Sequence, residues 1–168
     1  FGYYDHNLLL GLEKCNDHLP LEERKGCGQR LWQIRAKHVI IATGSHERSL
    51  VFANNDRPGI MLASAARTYV NKFAARPGKN SVIFTNNDSA YFAAEDLLKN
   101  GVNVKAIVDT RNKKNQIAEN LNNKGVEIIL NSSVVNVKGS NHISGVQISK
   151  FNPNLEKLNS SEKLRNIN

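Results

Sequence analysis

The run Thr85-Asn86-Asn87-Asp88-Ser89-Ala90 stands between the apolar stretch Ser81–Phe84 and a helical pattern that opens at Ala90. A strand–turn–helix of this kind can hold a dinucleotide. Its turn then reads G-x-G-x-x-G/A, because small residues let the backbone approach a pyrophosphate that rests on the helix N-terminus. The last slot keeps a small residue, Ala90, whereas Thr85 and Asn87 stand where glycines are usual. Asparagine tolerates φ > 0 better than most side-chain-bearing residues, so the turn itself survives. The added side chains, and the charge of Asp88, work against a phosphate. The residues are thus compatible with a working dinucleotide site and with a retained scaffold of weakened affinity. Thr85, Asn86, Asn87 and Ser89 are the candidate cofactor contacts here.

Asp109 ends the next apolar run, 24 positions after Thr85. An acidic residue about 20 positions on takes the ribose hydroxyls of NAD and disfavours a 2′-phosphate. Arg111, two residues later, works against that preference, and the alternative is an Asp that caps its own loop. A second candidate turn is Ala42-Thr43-Gly44, directly after the apolar run His38–Ile41. A glycine there lets a flavin or nucleotide approach the backbone without meeting a side chain. His46-Glu47-Arg48 follows immediately and is expected to face the same cleft, at least in part. His6 reads as a surface or capping residue. No Ser/His/Asp pattern, metal-ligand spacing or Walker loop is visible in the sequence, so no catalytic residue and no metal ligand is assigned.

Positioning these turns requires a sheet. Leu31, Gln33 and Arg35 alternate with Trp32 and Ile34, so Arg30–Arg35 reads as a strand paired with Asn7–Glu13 across the polar stretch Pro20–Gly28. His38–Ala42 reads as a short apolar strand bounded by Thr43-Gly44, and Ser45–Ile60 as a loop. Leu62, Ala66, Tyr69, Val70 and Phe73 recur at helical spacing up to the stop at Pro77-Gly78. Beyond them the order is strand Ser81–Phe84, a helix capped by Asp88 or Ser89, strand Val104–Asp109, helix Asn115–Asn123 and strand Val126–Leu130. Nearly all-apolar strands alternating with helices describe a parallel sheet covered by helices on both faces. Val134–Val137 and His142–Ser149 suit a hairpin around Gly139-Ser140-Asn141, with Val146 and Ile148 inward. The polar tail 151–168 is either a surface excursion or the approach to a further strand.

The fold class expected is therefore α/β, a Rossmann-like parallel sheet preceded by a β portion from an incomplete FAD/NAD-binding domain. Residues 1–60 belong to that first domain, 61–150 to a second nucleotide-binding domain, and 151–168 to the tail. With 168 residues and 40% hydrophobic content there is material for a packed core. No run of about 18 apolar residues occurs, so no membrane-spanning helix is expected. No signal peptide is visible either, and the opening at Phe1, inside structured sequence, suggests a fragment. The formal charge of +8 is spread out, the densest groups being Lys113-Lys114 and Arg35–Lys37–His38 without interleaved aromatics. That pattern suits a solvated positive surface better than a nucleic-acid interface. Cys15 and Cys27 read as two ordinary thiols suited to a reducing cytoplasm, with a disulfide between them left open.

The strings Ile40-Ile41-Ala42-Thr43-Gly44, Glu47-Arg48, Phe52-Ala53-Asn54-Asn55-Asp56-Arg57-Pro58-Gly59-Ile60-Met61 and Thr85-Asn86-Asn87-Asp88-Ser89-Ala90-Tyr91 resemble the α subunit of heterotetrameric sarcosine oxidases. The opening Phe1-Gly2-Tyr3-Tyr4-Asp5-His6-Asn7 is similar to that family too, and the resemblance runs to about Ser149. The wider superfamily that the chain resembles is that of flavoproteins with two dinucleotide-binding domains, thioredoxin reductase-like enzymes included. Their turn typically reads G-G-G-D-S-A. Asp88-Ser89-Ala90 matches it, and Thr85-Asn86-Asn87 replaces its glycines.

The resemblance implies oxidative demethylation of sarcosine to glycine and formaldehyde, with oxygen reduced to hydrogen peroxide. It implies FAD in a β subunit, FMN at the α/β interface, NAD in the α subunit, and γ and δ subunits as further partners. Thr43-Gly44 would line the bound dinucleotide, and the Asn54–Gly59 loop would shape the adjoining cleft or interface. The family's upstream Gly-rich fingerprint and its downstream folate-type part are both missing, so the chain is expected to be a component rather than a complete catalyst. Two alternatives stand beside this one: a subunit of an opine, proline or amino-acid dehydrogenase, and a non-catalytic assembly module that keeps the nucleotide fold.

Overall fold

An antiparallel meander follows from the period-two pattern near the N-terminus. In the computed structural model, which describes residues 2–112, 115–152, 157–158 and 165–167, strands β1 (Gly2–Tyr4), β2 (Leu8–Lys14) and β3 (Gln29–Arg35) pair in that order. The β2–β3 register runs from Leu8 opposite Arg35 to Lys14 opposite Gln29. Glu13 ties the ladder on its outer side, accepting from Arg30 Nη1 at 3.1 Å and from Trp32 Nε1 at 2.9 Å. Both faces of β3 meet solvent, with Leu31, Trp32 and Ile34 all about half exposed. This sheet lies in the first of two compact units, Phe1–Ser45 and His46–Asn168.

The expected apolar strand His38–Ala42 does not form. Residues 36–52 are irregular, and Ile40 is 91% exposed. A buried strand needs a ladder beside it to satisfy its backbone N–H and C=O groups. Among the described residues no strand pairs with 38–42.

The second unit carries the remaining elements. Helix α1 (Ala63–Lys72) leads to β4 (Asn80–Thr85), α2 (Ser89–Lys99), β5 (Asn103–Asp109), α3 (Gln116–Asn123) and β6 (Glu127–Ile129). The strands form a parallel sheet in the order β4-β5-β6, with Thr85 level with Asp109 at its C-terminal edge. Gly101 and Gly125 take positive φ just past the ends of α2 and α3, where left-handed residues close helices. The β4–β5 register shifts between Ser81 and Val82, which leaves Lys105 as the extra residue of a bulge. Beyond it the parity resets, so Val104 and Ile107 both face the helices although they stand three apart.

All three helices pack on one face of this sheet, around Ile83, Val104 and Ile107. The opposite face is covered by an antiparallel hairpin, β7 (Ser132–Lys138) and β8 (Gly145–Asn152). Helices on both faces were expected; the structure corrects this to helices on one face and strands on the other. The reason lies in the chain that follows β6, where Val134, Val137, Val146 and Ile148 supply a β-type apolar face. With Phe52, Ile60 and Ile143 they close over Ala106, Val108 and Ile129. The hairpin turn requires Gly139, at φ +115°, because a Cβ there would lie 2.0 Å from the His142 carbonyl oxygen. Short strands β9 (Lys157–Leu158) and β10 (Arg165–Ile167) pair with β8. They were not anticipated, since Arg165-Asn166-Ile167 has no apolar period and pairs through its backbone. The remainder of the tail, and the Lys113-Lys114 pair, lie outside the described residues. Among the described residues no helix is long and apolar enough to cross a membrane.

Candidate functional site

The C-terminal edge of a parallel sheet is where strand ends, helix N-termini and loops converge, and where ligands of open α/β folds sit. At this edge the structure gathers Thr85, Asn86, Asn87, Ser89 and Asp109. Thr85 is the buried last residue of β4. Its hydroxyl donates to the Asn87 carbonyl at 3.0 Å and accepts from the Asn87 amide at 3.1 Å. Asn87 Oδ1 in turn accepts from the Ser89 amide at 3.0 Å and from the Ser89 hydroxyl at 2.5 Å. The helix-capping oxygen therefore comes from Asn87 and not from Asp88 or Ser89, as the sequence suggested; Asp88 occupies the N-cap position without a side-chain cap bond. No residue of 85–90 has positive φ, so the tolerance of asparagine for that region is not used here.

Two of the amides that would cradle a phosphate are thus held by the turn's own side chains. The positive end of α2 also has a carboxylate beside it. Asp88 Oδ1 accepts from Arg111 Nη2 and from Asn115 Nδ2, both at 2.8 Å.

Asp109 is wholly buried and its two oxygens are shared out within the protein. Oδ2 accepts from the Tyr91 hydroxyl and from Arg111 Nη2, both at 2.8 Å. Oδ1 accepts from the Arg111 amide at 2.9 Å and from Arg111 Nε at 3.1 Å, closing an Asx turn. Burial first, and then the hydrogen bond to Asp109, hold the Tyr91 phenol well above its ordinary value. The hydrogen bond to Asp109 likewise raises Arg111, so the guanidinium stays charged. This Tyr91–Asp109–Arg111–Asp88 chain joins α2 to the β5 end. A pyrophosphate would reach the Ser89 amide only if Asn87 released it. As arranged, the edge does not fit a dinucleotide.

Ala42, Thr43 and Gly44 lie in the other unit, in irregular and exposed chain. Gly44 has φ +71°, and nothing stands within 4 Å of a Cβ placed on it. Its need for glycine is conformational. Backbone at Thr43-Gly44 is therefore open to a ligand, which the self-filled β4–α2 turn is not.

Of His46-Glu47-Arg48, expected to face a cofactor cleft at least in part, Glu47 caps α1. Its Oε1 and Oε2 accept from the amides of Ala63 and Ser64 at 3.1 and 2.7 Å. Sequence reasoning missed this because the cap is sixteen residues upstream, beyond any local capping box. Tyr91 was missed as well. Its signal is a phenol on the buried stripe of α2, where a hydroxyl needs an acceptor.

No protein-family model matches the chain. It is 39% identical over 158 residues to the sarcosine oxidase subunit alpha of Corynebacterium sp. (strain P-1), which covers 92% of this chain and 16% of that protein. The subunit of the same name from Rhizobium meliloti (strain 1021) is 38% identical over 149 residues, 88% of this chain and 15% of the relative. The chain thus spans about a sixth of the length of the curated relatives it matches. Among solved structures, the thioredoxin reductase of T. acidophilum shares the fold, with a TM-score of 0.56 at 18% identity over 83% of this chain and 44% of that one. Lactococcus lactis thioredoxin reductase gives 0.52 at 17% identity over 83% of this chain and 45% of that one. The Rossmann-like α/β class read from the strand–helix alternation is the fold observed. Over about nine-tenths of its length, the chain is thus similar to one segment of proteins named sarcosine oxidase subunit alpha.

Proposed function

We propose that the chain is the nucleotide-fold segment of a sarcosine oxidase α subunit, part of a cytoplasmic flavin- and NAD-containing oxidoreductase. The whole enzyme demethylates sarcosine to glycine and passes the electrons to oxygen, giving hydrogen peroxide. The observation that carries this reading is the 38–39% identity to proteins of that name along about nine-tenths of the chain. Amine oxidation belongs to the β subunit with its FAD, and FMN lies between α and β; γ and δ complete the assembly. The share of this segment is to bind NAD and to hold its fold against the partners.

Within it, Ala42, Thr43 and Gly44 line the dinucleotide. The open approach to Gly44 supports that assignment. The second set, Thr85, Asn86, Asn87, Ser89 and Asp109, keeps the fold of a nucleotide site with its anion-binding amides internally served. The test is the full-length subunit purified with its partners and supplied with sarcosine, L-proline or an opine. Peroxide formed only with sarcosine supports the reading; electron transfer from proline or an opine supports a related dehydrogenase instead.

A second reading has one specific observation in its favour. The hydrogen bonds of Thr85 and Asn87 to their own turn suit a non-catalytic assembly module at the β4–α2 edge. Calorimetric titration of NAD into full-length Gly44→Val protein, in which the first turn is blocked, isolates this edge. No heat is expected there, and heat is expected to return when Asn87→Gly is added.

A further inference from the structure

The sulfurs of Cys15 and Cys27 stand 3.9 Å apart at the open end of the β2–β3 hairpin, and both are free thiols. Their approach is built by the fold. Past the last strand pair, Lys14 opposite Gln29, the amides of Cys15 and Asn16 both donate to the Gly28 carbonyl, at 3.0 and 3.3 Å. That shared acceptor sets Cys27 diagonally across from Cys15.

The loop between them is tied to itself. Asn16 is buried and its Nδ2 donates to the Lys25 carbonyl at 2.5 Å. Arg24 donates to the carbonyls of Leu19 and Asp17 at 2.8 and 2.6 Å, and Gln29 Nε2 donates to Asp17 Oδ2 at 2.6 Å. A disulfide needs its sulfurs at about 2.05 Å. The gap that remains is one that rotation of the exposed Cys27 side chain can close. Partial burial and the neighbouring Cys27 push the Cys15 thiol up, while Arg30 favours its anion.

We propose that Cys15 and Cys27 form a reversible redox pair that closes to an intrachain disulfide when hydrogen peroxide reaches the exposed Cys27. The Cys27 thiol gives up its proton and attacks one peroxide oxygen, the O–O bond breaks, and Cys27 becomes a sulfenic acid while the expelled hydroxide takes up a proton and leaves as water. Cys15 then loses its proton and attacks the Cys27 sulfur. The S–S bond forms, the S–O bond breaks, and a second water leaves. Two thiols are oxidised by two electrons and one peroxide is reduced to two waters. The bridge staples β2 to β3 in a unit whose sheet is exposed on both faces, and it requires no cofactor and no substrate.

Peptide mapping of the full chain after hydrogen peroxide treatment, with residual thiols alkylated, reads the outcome. The expected product joins the Cys15 and Cys27 peptides, lighter by two hydrogens, and dithiothreitol restores both thiols. In Cys15→Ser, Cys27 has no resolving partner and proceeds to sulfinic acid. Survival of both thiols, separate oxidation of each without a cross-link, or a disulfide between two chains would overturn the proposal.

Discussion

Asp109 shows how one residue can satisfy a spacing rule and still be committed elsewhere. Its position 24 residues after Thr85 is legible in the sequence. Its partners are not, because Tyr91 and Arg111 reach it through the packing of α2 against β5 and through a loop conformation that no local pattern encodes. The Tyr91 hydroxyl, wholly buried, has this carboxylate as its acceptor at 2.8 Å. Tyr91→Phe removes a hydrogen bond to a charged group while Arg111 still pairs Asp109, so a loss of about 1.5 kcal/mol is expected in urea denaturation. The folded-state value of Tyr91 lies above the ordinary 10, so the neutral phenol is the form stabilised. Its contribution is fully present below pH 10 and fades as pH rises through and beyond that value. Tyr91→Phe is therefore expected to flatten the stability loss of the wild type at alkaline pH. An unchanged alkaline limb would contradict the role given to this hydroxyl.

At the level of elements, periodicity found α1, α2, α3 and the parallel strands because their apolar faces repeat locally. The strand placed at His38–Ala42 failed for the opposite reason, since a strand depends on neighbours that lie far along the chain. The junctions between elements were equally hidden. Glu47 at the start of α1 is one, and its replacement by alanine leaves the Ala63 and Ser64 amides without their acceptor. A loss of about 1 kcal/mol is expected for Glu47→Ala, read as a lower urea midpoint with the slope unchanged. The α1–α2 contact is another. Asn71 and Arg67 of α1 donate to Asp96 of α2 and hold its carboxyl below the ordinary 3.8. That stabilisation is present above the ordinary value and is lost as pH falls below it, through the folded-state value. Asp96→Asn is expected to be less stable than wild type at neutral pH and to lose less on acidification below pH 4. Parallel acid limbs for the two proteins would show that the contact contributes nothing.

For the molecule as a whole, the fold was readable because two independent patterns agreed: the strand–helix alternation of residues 80–129, and the family strings around Gly44 and Asp88. What stayed hidden is that the two turns differ. Gly44 offers open backbone, whereas the turn after β4 satisfies its own amides through Thr85 and Asn87. The dinucleotide proposed for the full-length protein rests on the first of these. Its most direct measurement is the nucleotide content of full-length α subunit, released by denaturation and quantified by absorbance and mass, in wild type, Gly44→Val and Asn86→Glu. Bound dinucleotide is expected in wild type and Asn86→Glu, and its loss from folded Gly44→Val. Retention by Gly44→Val together with loss from Asn86→Glu would contradict it.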